Sequence, residues 1–94
     1  MNKKKLYKLR VKIDSVDKKI FILIKKRTLI VKKMLKLKRY KSDIVDHKRI
    51  NQILKKIKKK SLINKIDTKL TYKIWKSMIW SYVDFQKRNF VKNK

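Results

Sequence analysis

Two cationic side chains stand where their types and spacing suit the binding of a small anion. Arg27 lies on an otherwise apolar helical seam, where a guanidinium must be paired or must bind an anion. Lys38 follows 11 residues later, within about 20° of Arg27 on a helical wheel and roughly 16 Å along the axis. The two side chains could therefore converge on one small dianion that lies between them.

Two further residues extend this pattern. Gln86 is 11 residues after Trp75 and shares its apolar stripe, so an amide is predicted to face the interior. Arg10 precedes Arg27 by 17 residues and lies about 100° round the helix from it. It cannot easily reach a pocket at Arg27 of its own chain, but it could reach the equivalent pocket of a partner chain.

Each of these residues also has an ordinary structural explanation. Arg27 could simply be salt-bridged to an Asp, Lys38 could be a solvated charge, and Gln86 could be a hydrogen-bonded interior amide. Asp46 is predicted to be a helix N-cap whatever else it does. His47 is predicted to be exposed in the first turn after it, since the sequence offers it no metal or triad partners.

The elements that must position these residues are helices. Apolar residues recur in steps of four and three at Leu9, Ile13, Val16, Ile20, Leu23, Ile30, Met34 and Leu37. A helix from about Leu6 to Tyr40 would be roughly 50 Å long, whereas a compact monomer of this size has a radius of gyration of only ~12 Å. The pattern therefore predicts that a partner chain covers this helix, most simply in a homodimer.

Two shorter helices are predicted to follow, separated by polar breaks at 41–43 and near 61–65. The second helix starts after Asp46 and has the apolar face Ile50, Ile53, Leu54 and Ile57. Asp67 or Thr68 caps a third helix that runs to about Phe90, with a stripe of Trp75, Ile79, Tyr82 and Gln86. We therefore predict an all-α fold of one long and two shorter helices, in a single domain spanning 1–94.

The composition excludes several kinds of site and leaves the anion open. The chain has no Cys, no Gly and one His, which excludes disulfides, thiol nucleophiles, phosphate-binding glycine loops and multi-His metal sites. Its net charge of +26 would attract nucleic acid, acidic lipid or a small carboxylated metabolite alike. The longest apolar run, 21–24, is far below the ~20 residues of a membrane span, so a soluble cytoplasmic protein is expected. The lysine run 55–60 is most simply a solvated face.

Together these residues resemble the all-helical chorismate mutases of the AroQ class. The first helix carries their pattern in Leu9-Arg10, Ile13-Asp14, Val16-Asp17, Ile20, Leu23-Ile24 and Arg27, followed by Lys38. Asp46-x-x-Arg49 with Ile53-Leu54 is similar to their second-helix motif, and Gln86 stands near the end of the third helix as theirs does. The resemblance covers about residues 6–90. It implies an intertwined dimer with two active sites, each completed by the first helix of the partner.

The implied reaction is the Claisen rearrangement of chorismate to prephenate, in aromatic amino acid biosynthesis, without metal, cofactor or covalent intermediate. By this resemblance Arg27 and the partner's Arg10 would hold the two carboxylates of the substrate. Lys38 and Gln86 would hydrogen-bond its ether oxygen, Asp46 would contact the ring hydroxyl, and Arg49 would order that corner. The absence of a dehydratase or dehydrogenase segment favours a stand-alone mutase.

Two positions depart from the family pattern. Ile50 stands where a Glu usually follows Arg49, and Tyr82 stands four residues before Gln86 where a Ser is usual. The first change removes an acceptor for the ring hydroxyl, and the second could crowd or cover a substrate carboxylate.

The sequence leaves three alternative functions open. They are a degenerate mutase that serves as a subunit or regulator, a lyase acting on isochorismate, and a basic helical nucleic-acid-binding protein, although the last leaves Arg27 and Gln86 unexplained.

Overall fold

The computed structural model describes residues 2–91, and within them it is all-helical, with no strand. Helix α1 spans Lys3–Lys36, α2 spans His47–Ile63 and α3 spans Thr68–Asn89. A short 3-10 helix, Lys41–Ile44, lies between α1 and α2. The prediction of one long and two shorter helices is therefore confirmed.

Helix α1 ends earlier than predicted. It stops at Lys36 rather than near Tyr40, because the last turn tightens and the Lys38 amide donates to the Leu35 carbonyl at 3.1 Å. The carboxylate of Asp43 then accepts from the Tyr40 amide at 3.0 Å, which holds the following segment in its own turn. Lys38 consequently lies after the helix, and the helical-wheel relation predicted for it does not apply.

The starts of α2 and α3 agree with their predicted caps. Asp46 accepts from the backbone amide of Arg49 at 3.0 Å, and Asp67 accepts from those of Lys69 and Leu70 at 2.8 and 3.0 Å. These contacts satisfy amides that have no partner inside the helix. Both cap predictions are thus confirmed.

The break between α2 and α3 is shorter than expected, because Ser61 lies inside α2 and is buried there. Its hydroxyl donates to the Ile57 carbonyl at 2.7 Å, which satisfies it without leaving the helix. The chain reverses only after Ile63, with Lys65 in the left-handed region at a φ of 55°. The Cβ makes that conformation cost about 1 kcal/mol. Gly would avoid this cost, but the chain contains no Gly.

The chain divides into two compact units, Met1–Lys33 and Met34–Lys94. In the second unit α2 packs along α3, and the 3-10 helix packs against α3. Leu35, Ile44 and Val83 form its buried cluster, with Val45 and Phe90 packed against them. This unit holds the end of α1, the turn after it and both shorter helices against one core.

The first unit is helical from Lys3 onward, and its apolar seam is exposed. Five seam residues are between 51% and 61% exposed, namely Leu9, Ile13, Val16, Ile20 and Leu23. A row of apolar side chains at helical spacing is expected to be covered in a stable protein. The homodimer predicted to cover it remains a prediction.

Candidate active site

The centre of the candidate site is a hydrogen bond between two residues 48 positions apart. The ammonium of Lys38, in the turn after α1, donates to Oε1 of Gln86 on α3 at 2.6 Å. Gln86 is only 7% exposed, so the predicted interior amide is confirmed. The two residues meet because Leu35 and Val83, three positions before each of them, belong to the same buried cluster.

The orientation of the Gln86 amide is fixed from both sides. Its Nε2 donates to the backbone carbonyl of Tyr82 at 3.1 Å, while its Oε1 accepts from Lys38. A lysine ammonium can only donate and a carbonyl can only accept, so the reversed amide would lose both bonds. The second N–H of Nε2 is then held in a defined direction, which suits it to bind an oxygen of a ligand.

Burial acts on the charge of Lys38. Desolvation lowers the pKa of its ammonium from the ordinary value of 10.5, and the carboxylates of Asp43 and Asp46 oppose that shift. The side chain is partly buried beside an amide and two acidic groups. A cation in such surroundings interacts more strongly with a developing negative charge than a solvated lysine does.

The beginning of α2 carries three further predicted residues. Asp46 and Arg49 are exposed, and the Asp46 carboxylate is engaged as the N-cap. Ile50 is buried, at 9% exposure, and its amide donates to the Asp46 carbonyl at 3.0 Å. His47 is exposed as predicted, with its ring centroid 6.3 Å from that of Trp80. Asp46 therefore caps the helix, and its contact with a substrate remains a prediction.

Tyr82 is partly buried one turn before Gln86 and packs edge-on against Phe85, with ring centroids 6.2 Å apart. The bond that orients the Gln86 amide is made by the backbone carbonyl of Tyr82 and not by its side chain. The departure from the usual Ser therefore leaves this support intact. Any effect of the Tyr82 ring must come from its bulk or its hydroxyl.

The two predicted carboxylate-binding arginines belong to the first unit. Arg10 is exposed on α1, and Arg27 is partly buried on the same helix. The second unit brings together Lys38 and Gln86, and it carries Asp46, Arg49, Ile50 and Tyr82. Sequence reasoning missed Asp43, whose carboxylate acts on Lys38, although its place in the polar break 41–43 was a usable signal.

No helix within residues 2–91 is long and apolar enough to cross a membrane. The cytoplasmic location expected from the sequence remains a prediction.

Comparison with known proteins gives one informative result. Neither the curated proteins nor the solved structures contain a significant match to this chain. The family model described as chorismate mutase type II, by contrast, matches residues 9–87, a range that includes every candidate site residue from Arg10 to Gln86. This match covers most of the 94 residues and agrees with the all-helical structure and the Lys38–Gln86 pair. The chain therefore belongs to the type II chorismate mutase family.

Proposed function

We propose that this chorismate mutase rearranges chorismate to prephenate at a site centred on Lys38 and Gln86, completed in a homodimer by the partner's Arg10. The observation that carries the proposal is the 2.6 Å hydrogen bond between Lys38 and the buried Gln86 amide. It places an ammonium and an oriented amide side by side in the unit that holds most of the predicted residues. A pair of donors so arranged suits one acceptor oxygen that gains charge.

The rearrangement breaks a carbon–oxygen bond of the substrate as a carbon–carbon bond forms, in one intramolecular step. Electron density accumulates on the ether oxygen as its bond to carbon lengthens. We assign to Lys38 and to the second Nε2–H of Gln86 the donation of hydrogen bonds to this oxygen. Donors already fixed in place require little reorganisation during the reaction, and removing one such donor commonly costs about 10²–10³ in kcat.

The other charged residues are assigned to substrate binding. Arg27 and the partner's Arg10 would hold the two carboxylates, since a guanidinium can bind a carboxylate with two parallel hydrogen bonds. Asp46 would contact the ring hydroxyl and Arg49 would order that corner, both from the exposed start of α2. Held at both ends, the substrate would be restricted to the compact conformer in which the reacting carbons approach.

The homodimer is supported by the exposed seam of α1. Leu9, Ile13 and Val16 are all more than half exposed in a single chain, and Arg10 lies among them. Apolar burial contributes about 25 cal/mol per Å², so a second copy of the same seam would stabilise both chains. A partner that packs along this helix would also bring its own Arg10 towards a neighbouring site.

A chorismate-disappearance assay tests the proposal directly. The wild-type chain should consume chorismate and form prephenate, and Gln86→Ala should lower kcat/KM by about 10²–10³. Gln52, which is exposed on α2, offers a matched control, and Gln52→Ala should retain the wild-type rate. Equal activities of Gln86→Ala and Gln52→Ala would show that Gln86 does not contribute to the reaction. Consumption of isochorismate in preference to chorismate would show that isochorismate is the substrate and would contradict the proposal.

A further inference from the structure

A concave feature lies between α2 and α3, in the same unit as the Lys38–Gln86 pair. It is a groove of about 590 Å³, within the range of small-molecule sites. Four lysines line it, two from each helix, together with one aliphatic and one aromatic side chain: Lys55, Lys58, Lys69, Lys73, Leu54 and Tyr72. The groove is therefore cationic, with an apolar lining between the charges.

The groove does not include the Lys38–Gln86 pair, and it begins on α2 at Asn51, next to Ile50. Neither Lys38 nor Gln86 lines it. Lys73 and Gln86 lie on one helix, 13 residues apart, which separates them by roughly 20 Å along the axis. A ligand in the groove would therefore not need to touch the Lys38–Gln86 pair.

The two walls of the groove are fastened together by a buried hydroxyl pair. Ser61 of α2 is 3% exposed, and its Oγ lies 2.7 Å from Oγ1 of Thr71 on α3. Each hydroxyl also faces a carbonyl of its own helix, Ser61 that of Ile57 at 2.7 Å and Thr71 that of Thr68 at 3.3 Å, and either hydroxyl can donate in the pair. Thr71 lies between the groove residues Lys69 and Tyr72 in the sequence, so the bond fixes the spacing of the helices next to the site.

The charges in the groove are not offset by acidic residues in its lining. No carboxylate belongs to the residues that line it, all of which lie within the described range. The nearest acidic residue in sequence, Asp67, is engaged by the amides of Lys69 and Leu70 at the start of α3. The ammonium of Lys76 lies 5.5 Å from the centroid of the Tyr72 ring and adds to the positive surroundings. Lysines on both walls make the groove positive, and a bound polyanion would offset that charge.

We propose that this groove is a second ligand site, and that it binds a small organic polyanion with a flat apolar body, of the nucleoside triphosphate class. The four lysines would bind the phosphates, and Leu54 and the Tyr72 ring would contact the apolar part. Lysines from two helices favour several anionic groups over a single carboxylate. The lining of α2 extends over only eight residues, from Asn51 to Lys58, or about 10 Å. That length favours a small molecule over a polymer, and the lack of a lining carboxylate disfavours an amino acid.

Binding of fluorescently labelled ATP to the full chain at about 0.15 M NaCl tests the site, at a salt level where weak surface attraction is screened. The double variant Lys58→Glu with Lys73→Glu should weaken binding by about tenfold or more, as expected for lost charge-assisted hydrogen bonds. Lys56→Glu with Lys59→Glu makes the same change of charge at α2 lysines outside the groove, and should have much less effect. Lys38→Met should bind ATP as the wild type does, because the groove does not include Lys38.

Competition experiments and the control variants identify the class of ligand. Unlabelled ATP should displace the label better than either inorganic triphosphate or adenosine, because the groove offers both charge and apolar contact. Equal losses in the two double-lysine variants would overturn the proposal, since binding would then reflect only the overall charge. Loss of ATP binding in Lys38→Met would show that ATP binds at the candidate active site instead, and would overturn the proposal. Displacement by a single-stranded oligonucleotide at far lower concentration than by ATP would assign the lysines to a polymer and would also overturn it.

Discussion

The two units of the chain differ in how far each one covers its own apolar residues. In the unit from Met34 onward, Ile44 and Val83 are 4% and 6% exposed, and the Lys38–Gln86 pair is supported by the same core. In the first 33 residues, Ile13 is 59% exposed on an uncovered seam. One unit thus assembles the Lys38–Gln86 pair within a single chain, whereas the apolar seam of the helix that carries the arginines is left exposed. The comparison predicts that the Lys38–Gln86 hydrogen bond persists when the proposed dimer dissociates. Binding of the substrate by the partner's Arg10 should be lost.

The largest effect should come from removing the charge in the self-contained unit. Lys38→Met keeps the apolar stem but removes the ammonium, and it should lower kcat/KM by about 10³, or roughly 4 kcal/mol of transition-state stabilisation. Steady-state kinetics and circular dichroism would measure it beside Lys41→Met, an exposed lysine of the 3-10 helix. If Lys41→Met loses as much activity as Lys38→Met, the loss is not specific to the pair.

Mixing two arginine variants tests the proposed dimer, in which a partner chain covers the exposed seam of α1. Arg10→Ala and Arg27→Ala should each be nearly inactive, because each removes a group that we propose binds a substrate carboxylate. After subunit exchange, half of the dimers are mixed and each of those has one intact site, so activity should recover to about a quarter of wild type per total site. Mass spectrometry of the mixture would verify the exchange. If exchange is complete and activity stays absent, Arg10 serves the site of its own chain.

The sequence predicted the features that depend on local chemistry. The pattern predicts Asp46 as one cap and Asp67 or Thr68 as the other, because a side-chain oxygen there satisfies amides only two or three residues away, and the structure selects Asp67. Gln86 was placed in the interior because its stripe repeats at helical spacing. These predictions needed no knowledge of distant parts of the chain.

Features that depend on competition or on distant contacts were predicted less well. The apolar pattern continues to Leu37 and predicts an end of α1 near Tyr40, but Asp43 and the tightened last turn end the helix at Lys36. The contact of Lys38 with Gln86 joins residues 48 positions apart, and no local period encodes it. Their roles came from the family resemblance, and the substrate contacts remain predictions.

A smaller effect should follow from Ile50→Glu, which restores the acceptor usual in the family at a buried position. A carboxylate placed there without a partner should destabilise the chain by about 2–4 kcal/mol, since Ile50 is 9% exposed. Ile50→Val should cost only about 1 kcal/mol. Urea denaturation together with kcat/KM would measure both variants. A gain of about tenfold in rate with wild-type stability would show that the side chain contacts the substrate instead.

The smallest effect is a displacement of the alkaline limb of the pH–rate profile. The proposed role of Lys38 requires the ammonium, and because burial lowers its pKa, kcat/KM should fall at a pH below the ordinary lysine value of 10.5. Asp43→Asn keeps an oxygen that can accept from the Tyr40 amide but removes the charge that opposes the shift, so the limb should move to still lower pH. Asp84→Asn is the matched control, because Asp84 pairs with Arg88 at 2.8 Å and is not among the groups that shift Lys38.

Stability separates this titration from unfolding. With its pKa lowered in the folded chain, Lys38 binds fewer protons there than in the unfolded chain between the lowered pKa and 10.5. Its contribution to the free energy of unfolding therefore rises with pH through that window, while activity falls. Melting temperatures recorded along the pH–rate profile should accordingly not fall where kcat/KM does. A limb at 10.5 that neither Asn variant moves, or an equal displacement by both, would mean that Lys38 is not the group whose deprotonation ends catalysis.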